Sequence, residues 1–229
     1  MCDKTGAKKS WADPDMIKQD AGYSQIIAHY EACLDRHGDS HLGVDWPNPQ
    51  DADKRYRIML DSIRRRDLPA TLLDFGCGAG HLLQFIRDNG LTQIDYQGLD
   101  ASAKFVALCR RKFPDATFHC QDILESAAGP APVDYVVLNG VLTEKCGMSD
   151  DAMLAYMEAL LCAVWPLARK GMAFNVMSAQ VDWRRDDLFH VPFDTMAGFV
   201  TGRLSRHFQF RQDYGLYEFT TYVYRDGST

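Results

Sequence analysis

Residues 72–80 read Leu-Leu-Asp-Phe-Gly-Cys-Gly-Ala-Gly. An apolar run ends in an acid, and glycine then takes every second position. Only residues without a Cβ turn this tightly and let a ligand approach backbone N–H groups closely. The segment therefore reads as a strand, a bare turn and a helix that begins near His81. A strand running straight into a helix commits the chain to a layered α/β architecture. Asp74 stands just before the glycines, where a pyrophosphate-binding fold would seldom place a negative charge. An acid in that place suits a ligand with a cationic head.

From Ala70 onward the pattern alternates. Strands are expected at 71–76, 94–99, 116–120, 133–138 and 171–178, and helices at 80–89, 102–113, 149–168 and 192–205. Such alternation implies a parallel sheet covered on both faces. The chain ends differently, because 207–213 and 216–225 read as two strands joined around Tyr214 and Gly215. Ahead of the sheet, Ile26, Ile27, Tyr30, Cys33 and Leu34 recur at helical spacing. A Gly- and Pro-bearing loop follows, and a second helix is expected over 51–66, with Tyr56, Met59, Leu60 and Ile63 inward. Residues 1–20 are polar and are expected to fray. The expected fold is α/β: a doubly wound, mostly parallel seven-stranded sheet with an antiparallel C-terminal strand pair and N-terminal helices as a lid. Residues 1–68 would form the lid segment and 69–229 the sheet domain.

The 229 residues suffice for one domain of ordinary size with a sizeable core. A net charge of −6 argues against a general electrostatic hold on nucleic acid. Seven cysteines without a C-x-x-C pair fit reduced thiols rather than a disulfide scaffold or a zinc site. The first nine residues lack the apolar core of a signal peptide, and no run approaches membrane-spanning length. A cytoplasmic protein, monomeric or homodimeric, with no membrane or DNA partner is the expectation.

The motif at 72–80 resembles the first motif of the class I S-adenosylmethionine (SAM)-dependent methyltransferases, an apolar run, Asp or Glu, x, Gly-x-Gly-x-Gly. The antiparallel finish is similar to that family too, and is not found in NAD-type domains. The resemblance spans about residues 70–225. It implies that the backbone of Gly76, Cys77 and Gly78 lies under the cofactor's amino-acid end, beside Asp74. Asp100 ends the second strand 20 residues after Gly80, where an acid, with Ala101 next to it, holds the ribose hydroxyls. An NAD site would place an acid here as well, so this position speaks for a nucleoside and not for which one. Asp122, ending the third strand beside Gln121, would take the adenine amino group; its bland alternative is a turn cap. Asn139, after the fourth strand, would face cofactor and substrate. SAM is the cofactor so implied, with S-adenosylhomocysteine (SAH) as product.

The departures also inform. The chain has no Asn-Pro-Pro-Tyr-like sequence at the fourth strand end, the mark of enzymes that methylate exocyclic base amines. Asn at 139 does not match the acids of metal-dependent catechol-type enzymes, so no metal is implied. His37 and His41 are four apart, but Gly38 and Gly43 argue against a helix between them. A methyl group on a sulfonium is already activated, so the protein mainly holds the acceptor in line and keeps water away.

Segments that could cover the cofactor carry aromatic and charged groups, as binding loops do. They offer Tyr30 and Trp46 from the N-terminal part, Trp183 and Arg184 from the loop after the fifth strand, and Tyr217 near the last strand as substrate-binding candidates. His190 is the candidate base, because an imidazole titrates near working pH. Residues 175–178 and 216–222 are loosely similar to small methyltransferases of bacterial secondary-metabolite or surface-sugar pathways. Methyl transfer to O or N of a small polar molecule, acidic or sugar-like, is the leading reading. The alternatives are a protein or RNA acceptor, a non-catalytic SAM-binding subunit, and an NAD-dependent oxidoreductase.

Overall fold

The computed structural model describes residues 21–126 and 129–227; the fraying expected for 1–20 lies outside them. One sheet holds β1 (Ala70–Phe75), β2 (Ile94–Asp100), β3 (Thr117–Cys120), β4 (Val133–Leu138), β5 (Ala168–Ser178), β6 (His190–Val191), β7 (His207–Arg211) and β8 (Glu218–Tyr224). The helices are α1 (Ser24–His37), α2 (Pro49–Leu60), α3 (His81–Asp88), α4 (Ala103–Lys112), α5 (Asp150–Val164) and α6 (Phe193–Phe199). The strand order is β3-β2-β1-β4-β5-β8-β7. β1 to β5 pair in parallel, and β8 returns antiparallel between β5 and β7. These are the seven strands the pattern implies. The two-residue β6 is an addition, parallel to β5 at Met177 and Ser178, beyond the end of β4.

Strand period 2 divides the core. Leu72, Tyr135 and Val137 pack with residues of α2, α3 and α4, including Met59, Leu83 and Val106. Leu73, Val136 and Leu138 face the other way, with Met157 and Leu161 of α5 and Phe199 of α6. α2 is thus part of the domain's own core, since Tyr56 and Met59 are buried in it.

Three helix ends differ from expectation for local reasons. α2 starts at Pro49, whose missing N–H costs nothing at a first helical position, behind Asn48, whose side chain accepts from Gln50 N at 3.0 Å. It stops at Leu60, where tighter turns take over and Ser62 Oγ donates back to Met59 O at 2.7 Å. α5 ends at Val164 because Pro166 cannot continue the hydrogen-bond ladder, and a 3₁₀ turn leads directly into β5. α6 widens into a π turn over Val200–Leu204. No helix among the described residues is long and apolar enough to cross a membrane.

Candidate active site

Strand order reverses between β1 and β4, which opens a crevice at their carboxyl ends, the usual ligand position in such sheets. The cavity there is lined by the glycine turn, by Asp100, Asp122 and Asn139 at the tips of β2, β3 and β4, and by Tyr30 and Trp46 from the N-terminal side. Gly76 N and Cys77 N both donate to Leu99 O, at 2.7 and 3.0 Å, which pins the turn to the end of β2. Gly76 has φ 73°, and a Cβ built on it would stand 2.5 Å from Val141 Cγ2. Conformation and space both demand glycine there.

Each acid arrives partly satisfied. Asp74, buried in the wall, accepts from Tyr96 Oη at 2.8 Å. Burial raises its pKa to about 7; the charge of Asp100 adds to this, while the Tyr96 hydrogen bond opposes it. Asp100 accepts from Gly78 N at 2.9 Å and Ser102 N at 2.8 Å. Burial nevertheless raises its pKa above the ordinary carboxylate value, because the two N–H bonds only partly offset it. Asp122 accepts from Leu124 N at 2.9 Å and from Tyr23 Oη at 2.9 Å, and the Tyr23 ring stacks on Tyr156. The far end of α1 is tied down as well. Ser102, which caps α4, donates to Glu31 at 2.6 Å, and Lys104 reaches Asp35 at 2.7 Å.

The tip of β4 is held by a buried chain of hydrogen bonds. Gly140 N donates to Asn175 Oδ1 at 2.8 Å, and Asn175 Nδ2 donates to Glu218 Oε1 at 3.1 Å. Arg55 of α2 closes on Glu218 with Nε and Nη2, each at 2.8 Å from Oε2. The same guanidinium lies 5.0 Å over the ring of Trp46, which stacks on Tyr56. A Cβ on Gly140 would come within 3.3 Å of the Trp46 indole, and Tyr30 Oη donates to Gly140 O at 3.2 Å. Asn139 Oδ1, next to these bonds, is buried with no hydrogen-bond partner among the described residues.

All nine residues expected around the cofactor (Asp74, Gly76, Cys77, Gly78, Asp100, Ala101, Gln121, Asp122 and Asn139) line this cavity, with Tyr30 and Trp46. Trp183, Arg184, Tyr217 and His190 do not line it. Trp183 and Tyr217 are exposed at 61% and 51% on loops at the same end of the sheet. The His190 ring is occupied: its Nδ1 pairs with Ser178 O at 2.8 Å and its Nε2 accepts from Arg185 N at 3.4 Å. β6 holds it there, and these two bonds fasten its own loop. His37 and His41 form no pair; His41 Nδ1 donates to Trp46 O at 2.6 Å. Asn175, Tyr96 and Arg55 escaped the sequence reading. An asparagine inside the apolar run of β5 is the one sign that could have exposed the first.

Residues 72–162 match a family profile described as a methyltransferase domain. Rv1506c of Mycobacterium tuberculosis, a protein named as a methyltransferase, is 31% identical over 160 residues, 68% of this chain and 93% of that protein. The chain belongs to the class I SAM-dependent methyltransferases. The dTDP-3-amino-3,6-dideoxy-α-D-glucopyranose N,N-dimethyltransferase of Streptomyces fradiae is 38% identical to this methyltransferase over 72 residues, 31% of this chain and 27% of that one. The 1,6-didemethyltoxoflavin N1-methyltransferase of Burkholderia thailandensis, solved with its substrate and SAH, shares the fold at a TM-score of 0.57 and 17% identity, covering 95% of this chain and 92% of that one. As a member of that family the chain takes SAM as its cofactor and leaves SAH as product. The cavity fits such a group: it is lined by the glycine turn and by Asp74, Asp100 and Asp122, and Asn139 Oδ1 has no hydrogen-bond partner among the described residues.

Two substitutions test this construction. Gly76→Ala meets both a positive φ and Val141, so SAM affinity measured by calorimetry drops about tenfold or more, the equivalent of roughly 1–2 kcal/mol of left-handed strain. Arg55→Met strands the Glu218 carboxylate, which is 1% exposed. Urea unfolding then reads a loss of about 3 kcal/mol, as when one partner of a buried ion pair is removed.

Proposed function

We propose that this methyltransferase modifies a nitrogen or oxygen of a small polar metabolite, acidic or sugar-like, with amino sugars the first class to test. The observation that carries the reading is the cover over Gly140, where Trp46 and Tyr30 close on the β4 tip. A cover this near leaves room for a compact acceptor rather than for the surface of a polymer. α1 and the loop that follows it act as the lid. The kinship with the S. fradiae sugar N,N-dimethyltransferase supports the sugar class. With the His190 ring engaged elsewhere, nitrogen is favoured, because an amine sheds its proton to water after transfer whereas many hydroxyls need a base.

In the same reading Asp74 faces the ammonium of SAM, and the backbone of Gly76, Cys77 and Gly78 carries the amino-acid end. Asp100 with Ala101 holds the ribose, Asp122 with Gln121 the adenine, and Asn139 the acceptor side. Trp183, Arg184 and Tyr217 form an outer rim. SAM brings a methyl group already activated on its sulfonium; the protein orients the acceptor and excludes water.

Labelled SAM offered with a panel of amino-sugar nucleotides, and separately with cell extract resolved by size, tests the acceptor class. Label enters small molecules, and Trp46→Ala lowers kcat/KM for the acceptor about tenfold, as loss of roughly 1.4 kcal/mol of transition-state binding would. Label confined to macromolecules overturns the reading. Asp74 makes a separate, pH-dependent prediction. Its carboxyl holds a proton up to about pH 7, and pairing with a cation expels it. SAM affinity therefore rises about tenfold between roughly pH 6 and 8 through one linked proton, and Asp74→Asn flattens the profile. In the ligand-free protein the same raised pKa acts against the fold. The native state binds this proton more tightly than the unfolded chain, so the group's contribution to stability falls as pH rises from about 4 to 7. A wild-type affinity profile without slope removes Asp74 as the cation's partner.

A further inference from the structure

We propose that His29, Cys33 and Asp45 form a site for a zinc-class divalent ion that staples together the lid of the active site. His29 Nε2 stands 2.7 Å from Asp45 Oδ2 and 3.9 Å from Cys33 Sγ, and the donor atoms of all three lie within 4.8 Å of one another. His29 and Cys33 are one turn apart on α1 and share a face. Imidazole, thiolate and carboxylate are the donors zinc takes, with bonds of about 2.0–2.3 Å that set tetrahedral donors roughly 3.3–3.6 Å apart. The sulfur–nitrogen separation is already close to that. The imidazole and carboxylate need to part by about 0.6 Å for such a geometry, as a metal replaces the proton they share.

The surroundings suit a cation. Glu144, on the loop after β4, senses the charges of Asp45, Asp187 and His29, so negative charge gathers at this seam. The nearby Arg185 is taken up by its own pair with Asp187. Arg36 Nη2 donates to Cys33 Sγ at 3.4 Å, the kind of outer hydrogen bond that steadies a metal-bound thiolate. Asp45 itself sits at φ 55°, and among the described residues the other non-glycine residue with positive φ is Cys146 on the facing loop. A conformation of that kind persists where its surroundings over-determine it.

The placement gives the ion a purpose. Asp45 directly precedes Trp46, and Val44 and Trp46 line the cofactor cavity. His29 directly precedes Tyr30, which reaches Gly140 O. An ion at this triad joins α1 to the loop that roofs the β4 tip, away from the cavity itself. Its part is to hold the lid in register, and methyl transfer does not pass through it.

The full-length protein, stripped with a chelator and titrated with Co(II), tests the site. One equivalent binds, a thiolate-to-cobalt charge-transfer band and intense tetrahedral d–d bands appear, and zinc displaces the cobalt. Cys33→Ser loses the charge-transfer band, and Asp45→Asn weakens zinc affinity at least tenfold. Zinc raises the thermal unfolding midpoint of the wild type by several degrees and leaves both variants unmoved. Absence of the band in the wild type overturns the proposal whatever the variants do, and leaves His29 and Asp45 as an ion pair only. Equal zinc stabilisation of wild type and variants overturns it too, since the ion then sits on another thiol.

Discussion

Glu218 opens β8 between β5 and the edge strand β7, and its carboxylate has almost no contact with water. A charge so placed is tolerable only if a cation and further donors meet it there. Arg55 comes from α2, 163 residues earlier, and Asn175 from the neighbouring strand. Answering that one charge fixes three things together. α2 is drawn onto the sheet, the amide of Gly140 is held at the β4 tip, and the guanidinium lies over the Trp46 ring. The polar core and the roof of the cavity are therefore one construction.

The cofactor side is built on a different principle. Asp74, Asp100 and Asp122 are spread over three strand tips, and each already has a tyrosine or backbone donor. A carboxylate oxygen has more than one lone pair, so these bonds orient the acids without exhausting them. The acids are aimed before a ligand arrives, and little ordering is left for binding to bring about. Asn139 is the exception, with its oxygen buried and unmatched among the described residues.

What could be read from the residues, and what could not, follows from distance along the chain. The glycine turn, the acids at strand tips and the alternation of strand and helix are local patterns of period 2 or 3.6, and the structure realises each of them. Helix ends shifted by a few residues where a single side chain intervened, Pro166 for α5 and Ser62 for α2. The partnership of Arg55, Asn175 and Glu218, and the meeting of His29 and Cys33 with Asp45, depend on how loops cross in space. No spacing encodes them. The choice of His190, Trp183, Arg184 and Tyr217 failed to land in the cavity for the same reason. β6 and the loop before it hold His190, Trp183 and Arg184 outside the cavity.

The finish of the sheet limits what the protein can become. β7 is an edge of five residues, with Phe208 and Phe210 turned to the core and His207 and Gln209 exposed. Its last residue, Arg211, is clamped by Asp61 and Asp213. An edge this short, closed by a neutralised charge cluster, offers a poor template for a strand from another molecule. Growth of the sheet by edge-to-edge addition ends at β7, and that guards the chain against fibrous self-association at no expense to the crevice on the far side of β5.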